Sequence, residues 1–302
     1  MQMPSITYLR QHQVDKASWD TCISRAANGL IYATTTYLDG MTTAWDALVL
    51  NNYEAVMPLP WRNKWGIYYL YQPFAVAQLG VFGNNLSAEL VQAFLQAVPP
   101  KFYYWDYTLN FGNCFSVPGF PFYIRMNYVL PLQSPYQILY KGYRENIRRN
   151  VKKSVGYGCR VVTGVSVDDV VALTRFQSKP LPLEEVAAFK KLFHQLSKNG
   201  LAKTYGVLSK QGEVLASAAF FFSHHRVYYI LVGNHPNGRT LGASHALIDA
   251  FIRDHAGQDL VLDFEGSDLR NLAFFYQSFG ARDEVFPAIK LNRLPWWAKW
   301  LK

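Results

Sequence analysis

One order of hydrophobic patterns runs through this chain twice, and it constrains the fold more than any single motif. In each half a strand hairpin is followed by a longer strand, a helix and a strand that bears an aspartate. The landmarks keep a nearly constant offset: Glu54 and Glu213 lie 159 residues apart, Tyr68 and Tyr228 160, and Asp106 and Asp263 157. A period this long is a duplicated domain rather than a solenoid, whose units run to roughly 20–50 residues. The length of 302 residues agrees, because a domain takes about 150. The expected architecture is therefore α/β, in the α+β mixed-sheet sense, with domains 1–134 and 135–302.

Local patterns fill in that outline. In the first half, strands are expected at 6–9, 46–50, 54–59, 66–70, 102–108 and 123–132, with helices at 15–25 and from Ser87 to Pro99-Pro100. In the second half Tyr143, Ile147, Val151 and Val155 recur every four residues and predict an amphipathic helix ended by Gly156 and Gly158. Ser166 with Asp169 resembles a capping box, and a helix rich in acid at its start (Glu184, Glu185) ends near Lys198. Strands are expected at 159–163, 204–209, 214–223, 226–233, 260–264 and 285–291, and helices at 243–254 and 269–279.

Composition excludes several classes. Half of the residues are hydrophobic and 17% are charged, so the chain can bury a core and is not disordered. No apolar run reaches the roughly 20 residues of a membrane helix, and the N-terminus lacks a basic-then-apolar leader. The cysteines Cys22, Cys114 and Cys159 are few, scattered and without CxxC spacing. Disulfide and zinc scaffolds are not expected, and a reducing cytoplasm is. His224, His225, His235 and His245 have no carboxylate or cysteine at ligand spacing, so no metal is expected. The formal charge of +9 falls wholly in the second half, where 141–160 alone carries seven cations against Glu145. That asymmetry suggests an anionic partner or substrate for the second half. The final segment, 294–302, holds three tryptophans and is read as an apolar tail docked on the body.

The chemistry concentrates between Arg226 and Ala281. A strand runs into Pro236-Asn237-Gly238-Arg239-Thr240-Leu241-Gly242-Ala243-Ser244 and then a helix. A glycine-bearing loop at a helix start offers free backbone N–H groups to a diphosphate, with Arg239 adding charge. The next strand ends in Asp263-Phe264-Glu265-Gly266, beside a helix carrying Tyr276. Glu265 is a candidate acceptor for an amine proton, and Tyr276 a candidate donor to a leaving thiolate.

These residues resemble the GNAT-type N-acyltransferases. Arg239-Thr240-Leu241-Gly242-Ala243-Ser244 is similar to their pyrophosphate loop, Arg/Gln-x-x-Gly-x-Gly/Ala, with Ser244 in the last place. Tyr276-x-x-x-Gly280 is similar to their terminal-helix motif, with Leu269 where an Asn often stands. The DFEGS stretch and the Arg144–Lys153 helix resemble the FemAB-like branch, which carries two GNAT-like domains in tandem. The resemblance implies two tandem GNAT-like domains, the first a degenerate copy without a cofactor site. It implies N-acyl transfer from acyl-CoA, such as acetyl-CoA, to a small-molecule or peptide amine. The cofactor would be held by Val232, Gly233, Arg239, Thr240, Leu241, Gly242, Ala243 and Ser244. In the FemAB-like branch the donor can be aminoacyl-tRNA and the acceptor a peptidoglycan precursor. The basic helix 141–153, with Arg148 and Lys152, would then meet tRNA or an anionic lipid-linked precursor, and His235 would touch substrate. A non-catalytic binding protein of the same fold is the remaining alternative.

Overall fold

The computed structural model describes residues 5–176, 181–266 and 268–294; the tail 295–302 lies outside them. Contacts divide the chain into two compact units: Met1–Arg125 with Val285–Lys302, and Met126–Glu284.

The first unit contains β1 (Ile6–Arg10), α1 (Lys16–Arg25), α2 (Thr35–Met41), β2 (Trp45–Leu50), β3 (Ala55–Lys64), β4 (Ile67–Leu70), β5 (Phe82–Gly83), α3 (Ala88–Ala97) and β6 (Phe102–Thr108). The helix starts follow from their caps: Asp15 accepts from the N–H groups of Ala17 and Ser18, and Ser87 from that of Leu90. β7 (Phe122–Pro131) leaves this unit, and its residues from Met126 onward belong to the second.

The second unit continues with α4 (Tyr136–Lys141), α5 (Glu145–Gly156), β8 (Arg160–Thr163), α6 (Val167–Thr174), α7 (Leu183–Lys198), β9 (Ala202–Leu208), β10 (Val214–Ser223), β11 (Arg226–Asn234), α8 (Pro236–Leu241), α9 (Ala243–His255), β12 (Val261–Asp263) and α10 (Arg270–Gln277). β13 (Arg282–Asn292) follows, and its residues from Val285 return to the first unit.

Both units have the same mixed sheet. β1, β2, β3 and β4 pair antiparallel in sequence, and β4 then pairs parallel with β6. β8, β9, β10 and β11 repeat that order, and β11 pairs parallel with β12. Glu54 and Glu213 each stand immediately before the third strand of the series, as equivalent positions should. The aspartate landmarks are not equivalent. Tyr228 registers with Asp263, whereas Tyr68 registers with Phe102, four residues short of Asp106.

The last strand of each repeat completes the sheet of the other. β13 lies antiparallel to β6, and β7 lies antiparallel to β12. The units therefore differ from a cut after Ser134. Tyr128, Leu130 and Leu132 are buried in the second unit's core, and Ala288 and Ile289 are buried in the first unit.

In the second unit α9 covers one face of the sheet with Ala243, Leu247, Ile248, Phe251 and Ile252, all buried. Phe251 stacks on Phe220 of β10 at 4.0 Å between ring centroids, 8° from parallel. Burying a side chain of this size is worth about 1.5–3 kcal/mol, so α9 is fixed by its apolar face. Arg226 fixes the neighbouring strands. Its guanidinium meets Asp263 at 2.6 Å and both carboxylate oxygens of Glu284 at 2.8 and 2.9 Å. Burial opposes the charge on Arg226, but the two carboxylates outweigh it and raise the guanidinium pKa.

Candidate functional site

The parallel pair of the second unit separates. β11 and β12 register over only three residue pairs, ending at Tyr228 and Asp263, while β11 runs on for six more residues to Asn234. The β10–β11 register shifts between Ala219 and Phe220, so that Ile230 is an extra residue on β11 just past the point of separation. Such a bulge bends a strand and increases its twist. A cleft of about 810 Å³ opens there, lined by Tyr229, Val232, Asn234, Arg239, Ser244, His245, the first residues of α10, Phe275 and Tyr276.

The corresponding end of the first unit is filled. Residues 71–81 follow β4 and are tied down beside β6. Leu79 donates to the carbonyl of Thr108, the Thr108 hydroxyl donates to the carbonyl of Ala77, and the Thr108 N–H donates to Gln72 Oε1. Gly80 donates to the Tyr107 hydroxyl, and a Cβ at Gly80 would lie 2.3 Å from Asn113 Oδ1.

The floor of the open cleft is aromatic. Tyr276 is buried, stacks on Phe264 at 4.5 Å, and its phenol pKa is raised by burial and by the charge of Glu265. Burial also raises the phenol of Tyr229 well above its ordinary value, with Tyr276 adding to the effect. His245, on the first turn of α9, meets Phe275 edge-on at 5.0 Å. Its buried Nδ1 has no hydrogen-bond partner, and burial pushes its pKa down to about 4. The ring is thus neutral at physiological pH. The Ser244 hydroxyl donates to Asn234 Oδ1 across the end of β11.

Of the sequence candidates, Val232, Arg239, Ser244 and Tyr276 line this cleft. The others do different work. The expected loop 236–242 is largely helix: α8 carries Thr240 and Leu241, and Leu241 packs against the core. His235 caps α8, its Nδ1 accepting from the N–H of Asn237, and its ring lies edge-on to Phe176 at 5.1 Å. Gly242 ends α8 in the left-handed region at φ +72°, and its N–H is held by the carbonyls of Gly238 and Arg239. A Cβ on Gly242 would lie 2.6 Å from the carbonyl oxygen of Asn150. Gly242 is therefore small because α5 crosses it, and its amide is not free for a diphosphate.

Gly233 admits α6, since a Cβ there would meet Leu173 at 2.4 Å. Ala243 is a core residue. Glu265 adopts φ +65° and its N–H donates to Asp263 Oδ1, which fixes the backbone where β12 ends. Arg148 and Lys152 lie on α5 and do not line the cleft.

Arg270, Asn271, Leu272 and His245 were not among the sequence candidates, yet all line the cleft. Arg270 follows Leu269, the position where the GNAT-type motif often has Asn, and that spacing was the available signal. His245 directly follows the loop pattern. No group of three or more His, Cys, Asp or Glu among the described residues can hold a metal ion. No helix among them is long and apolar enough to cross a membrane.

Residues 141–270 match the family model of the acetyltransferase (GNAT) domain. The fold is similar to that of FemX at 14% identity, covering 94% of this chain and 97% of that one with a TM-score of 0.64. It is also similar to a tandem GNAT protein from the clavulanic acid biosynthesis pathway at 12% identity, covering 96% and 99% with a TM-score of 0.56. A conserved protein from Bacteroides thetaiotaomicron VPI-5482 has 12% identity, 95% and 100% coverage and a TM-score of 0.57. No curated protein matches the sequence. Residues 141–270 thus match a GNAT acetyltransferase domain, and the fold of the chain is similar to those of FemX and of a tandem GNAT protein.

Proposed function

We propose that the cleft between β11 and β12 carries out N-acyl transfer from acyl-CoA to a small-molecule or peptide amine. The observation that carries this reading is the separation of the two strands, which leaves an aromatic-floored slot open at the carboxyl end of a parallel pair. The donor supplies an activated carbonyl, and the chain's task is to hold an amine against it and to exclude water. Phe275, Tyr229 and Tyr276 supply the apolar wall. Tyr276 serves as a hydrogen-bond donor to developing negative charge. Its raised phenol pKa makes it a weaker acid than a thiol of about 8.5, so full proton transfer to a departing thiolate would run uphill. His245 offers a neutral imidazole. Glu265 acts through the field it places on Tyr276.

Two measurements test this reading. Acetyl-CoA should raise the melting temperature by mass action, by an amount that grows with its concentration. Tyr276→Phe should lower turnover by tenfold or more while leaving acetyl-CoA affinity within about threefold, since one transition-state hydrogen bond is worth about 1.4 kcal/mol or more. No thermal shift at millimolar acetyl-CoA would refute the acyl-CoA reading.

A second reading draws on α5. Arg144, Arg149, Lys152 and Lys153 are exposed there, and none is paired with a carboxylate among the described residues. That face suits a polyanion, and a FemAB-like aminoacyl-tRNA donor acting on a peptidoglycan precursor in the cytoplasm would use it. Binding of tRNA whose affinity falls steeply with salt, without any response to acetyl-CoA, would favour this alternative.

A further inference from the structure

Resting on the acyl-CoA reading, we propose that Tyr229 is a second catalytic residue of the cleft, and that its hydroxyl and that of Tyr276 together form an oxyanion site for the carbonyl oxygen of the donor's acyl group. Both residues line the cleft, and both are buried, at 4% and 5% exposure. Neither hydroxyl has a hydrogen-bond partner in the chain among the described residues, and neither is among the polar atoms closed off inside the protein. Each therefore opens to the cleft. A buried tyrosine ordinarily finds a partner for its O–H, because an unpaired hydroxyl gives up its bonds to water for nothing. Phenylalanine would fill either position without that cost. Two unmet donors in one cleft point to an acceptor that a ligand supplies.

Packing fixes both rings. Tyr229 is the first residue of β11 beyond the last parallel pair, and the extra residue Ile230 follows it. Its ring lies against Phe220 at 5.2 Å and edge-on to Phe264 at 6.0 Å. Tyr276 stacks on the same Phe264 at 4.5 Å. Donors held in this way need no reorganisation as charge develops. Burial keeps both phenols protonated, and a charge on Tyr276 would further oppose ionisation of Tyr229, so both remain donors at physiological pH. In the reaction the amine nitrogen attacks the thioester carbon, and the C=O pair moves onto oxygen. The two phenols donate to that oxyanion without giving up their protons. The pair then returns as the C–S bond breaks, and the departing thiolate takes the proton shed by the amine nitrogen, which leaves an amide and a thiol.

Fluorine NMR on the full chain tests the oxyanion site with two probes, the trifluoromethyl ketone analogues of acetyl-CoA and of S-acetyl-N-acetylcysteamine. Each ketone adds water to give a tetrahedral hydrate, and the ionised hydrate mimics the intermediate. The unaltered protein should raise the ionisation constant of the bound hydrate by about a hundredfold or more over the free probe, and Y229F and Y276F should each cancel about tenfold or more of that gain. Both variants should melt at the temperature of the unaltered protein or above it, because the hydroxyl removed has no partner in the chain to lose. A bound hydrate that ionises in Y229F as it does in the unaltered protein overturns the role of Tyr229 and leaves the acyl-CoA reading standing. Should the cysteamine probe ionise in a Tyr229-dependent manner while neither acetyl-CoA nor its analogue binds, the oxyanion site stands and the acyl-CoA reading falls. Binding of neither probe removes both.

Discussion

At the scale of the residue, His245 shows how burial changes what a side chain can do. In the unfolded chain an imidazole titrates near 6.5, whereas burial against Phe275 pushes His245 down to about 4. The folded state then binds fewer protons than the unfolded state between those two values. Stability contributed by keeping the ring neutral is present above pH 6.5 and is lost as pH falls towards 4. The shift corresponds to at most about 3 kcal/mol, reduced by the ring's partial exposure. Urea unfolding at pH 7 and pH 4.5 should show a smaller loss of stability in His245→Leu than in the unaltered protein. Equal losses in the two proteins would mean that His245 titrates as it would in water. The same lesson holds for Tyr276, whose phenol is legible in the sequence as a candidate acid, while burial and the charge of Glu265 make it a weaker one.

At the scale of the element, the segment after β11 separates pattern from packing. The sequence places glycine and small residues where a phosphate-binding loop would have them. The chain instead winds 236–241 into a short helix, because Pro236 suits a first helical turn and His235 supplies the cap. Gly242 then satisfies two demands at once, a left-handed φ and the approach of α5. Gly242→Ala should cost about 1–3 kcal/mol through strain and overpacking. For a protein of this size that is a fall in melting temperature of at least a few degrees. A scanning calorimetry profile matching the unaltered protein would show that α5 does not press on Gly242. The α5 helix itself was legible through its four-residue period, but its far end was not: Ile147 is buried, whereas Val155 is 68% exposed. Periodicity gives the direction of an apolar face and not how far a neighbour extends along it.

At the scale of the whole molecule, the two repeats trade their last strands. A fragment spanning 135–302 lacks Tyr128, Val129, Leu130 and Leu132, all buried in the second unit. Four such side chains are worth roughly 6–12 kcal/mol of burial, as much as a domain's whole stability. That fragment should therefore aggregate or remain unfolded, while 126–284, which keeps β7 beside β12, should give more dispersed amide resonances in an NMR spectrum. If 135–302 folds as well as 126–284, the exchanged strand is dispensable. The sequence by itself determined the duplicated strand order, the helix starts set by Asp15 and Ser87, and the neighbourhood of the cleft, because each of these is written in the periodicity and capping of nearby residues. Only the tertiary structure decided that β7 and β13 change partners, that Asn150 covers Gly242, and that Arg270 and His245 share a cleft with Arg239. Those outcomes depend on which surfaces meet in space once the elements pack, and local spacing carries no information about that.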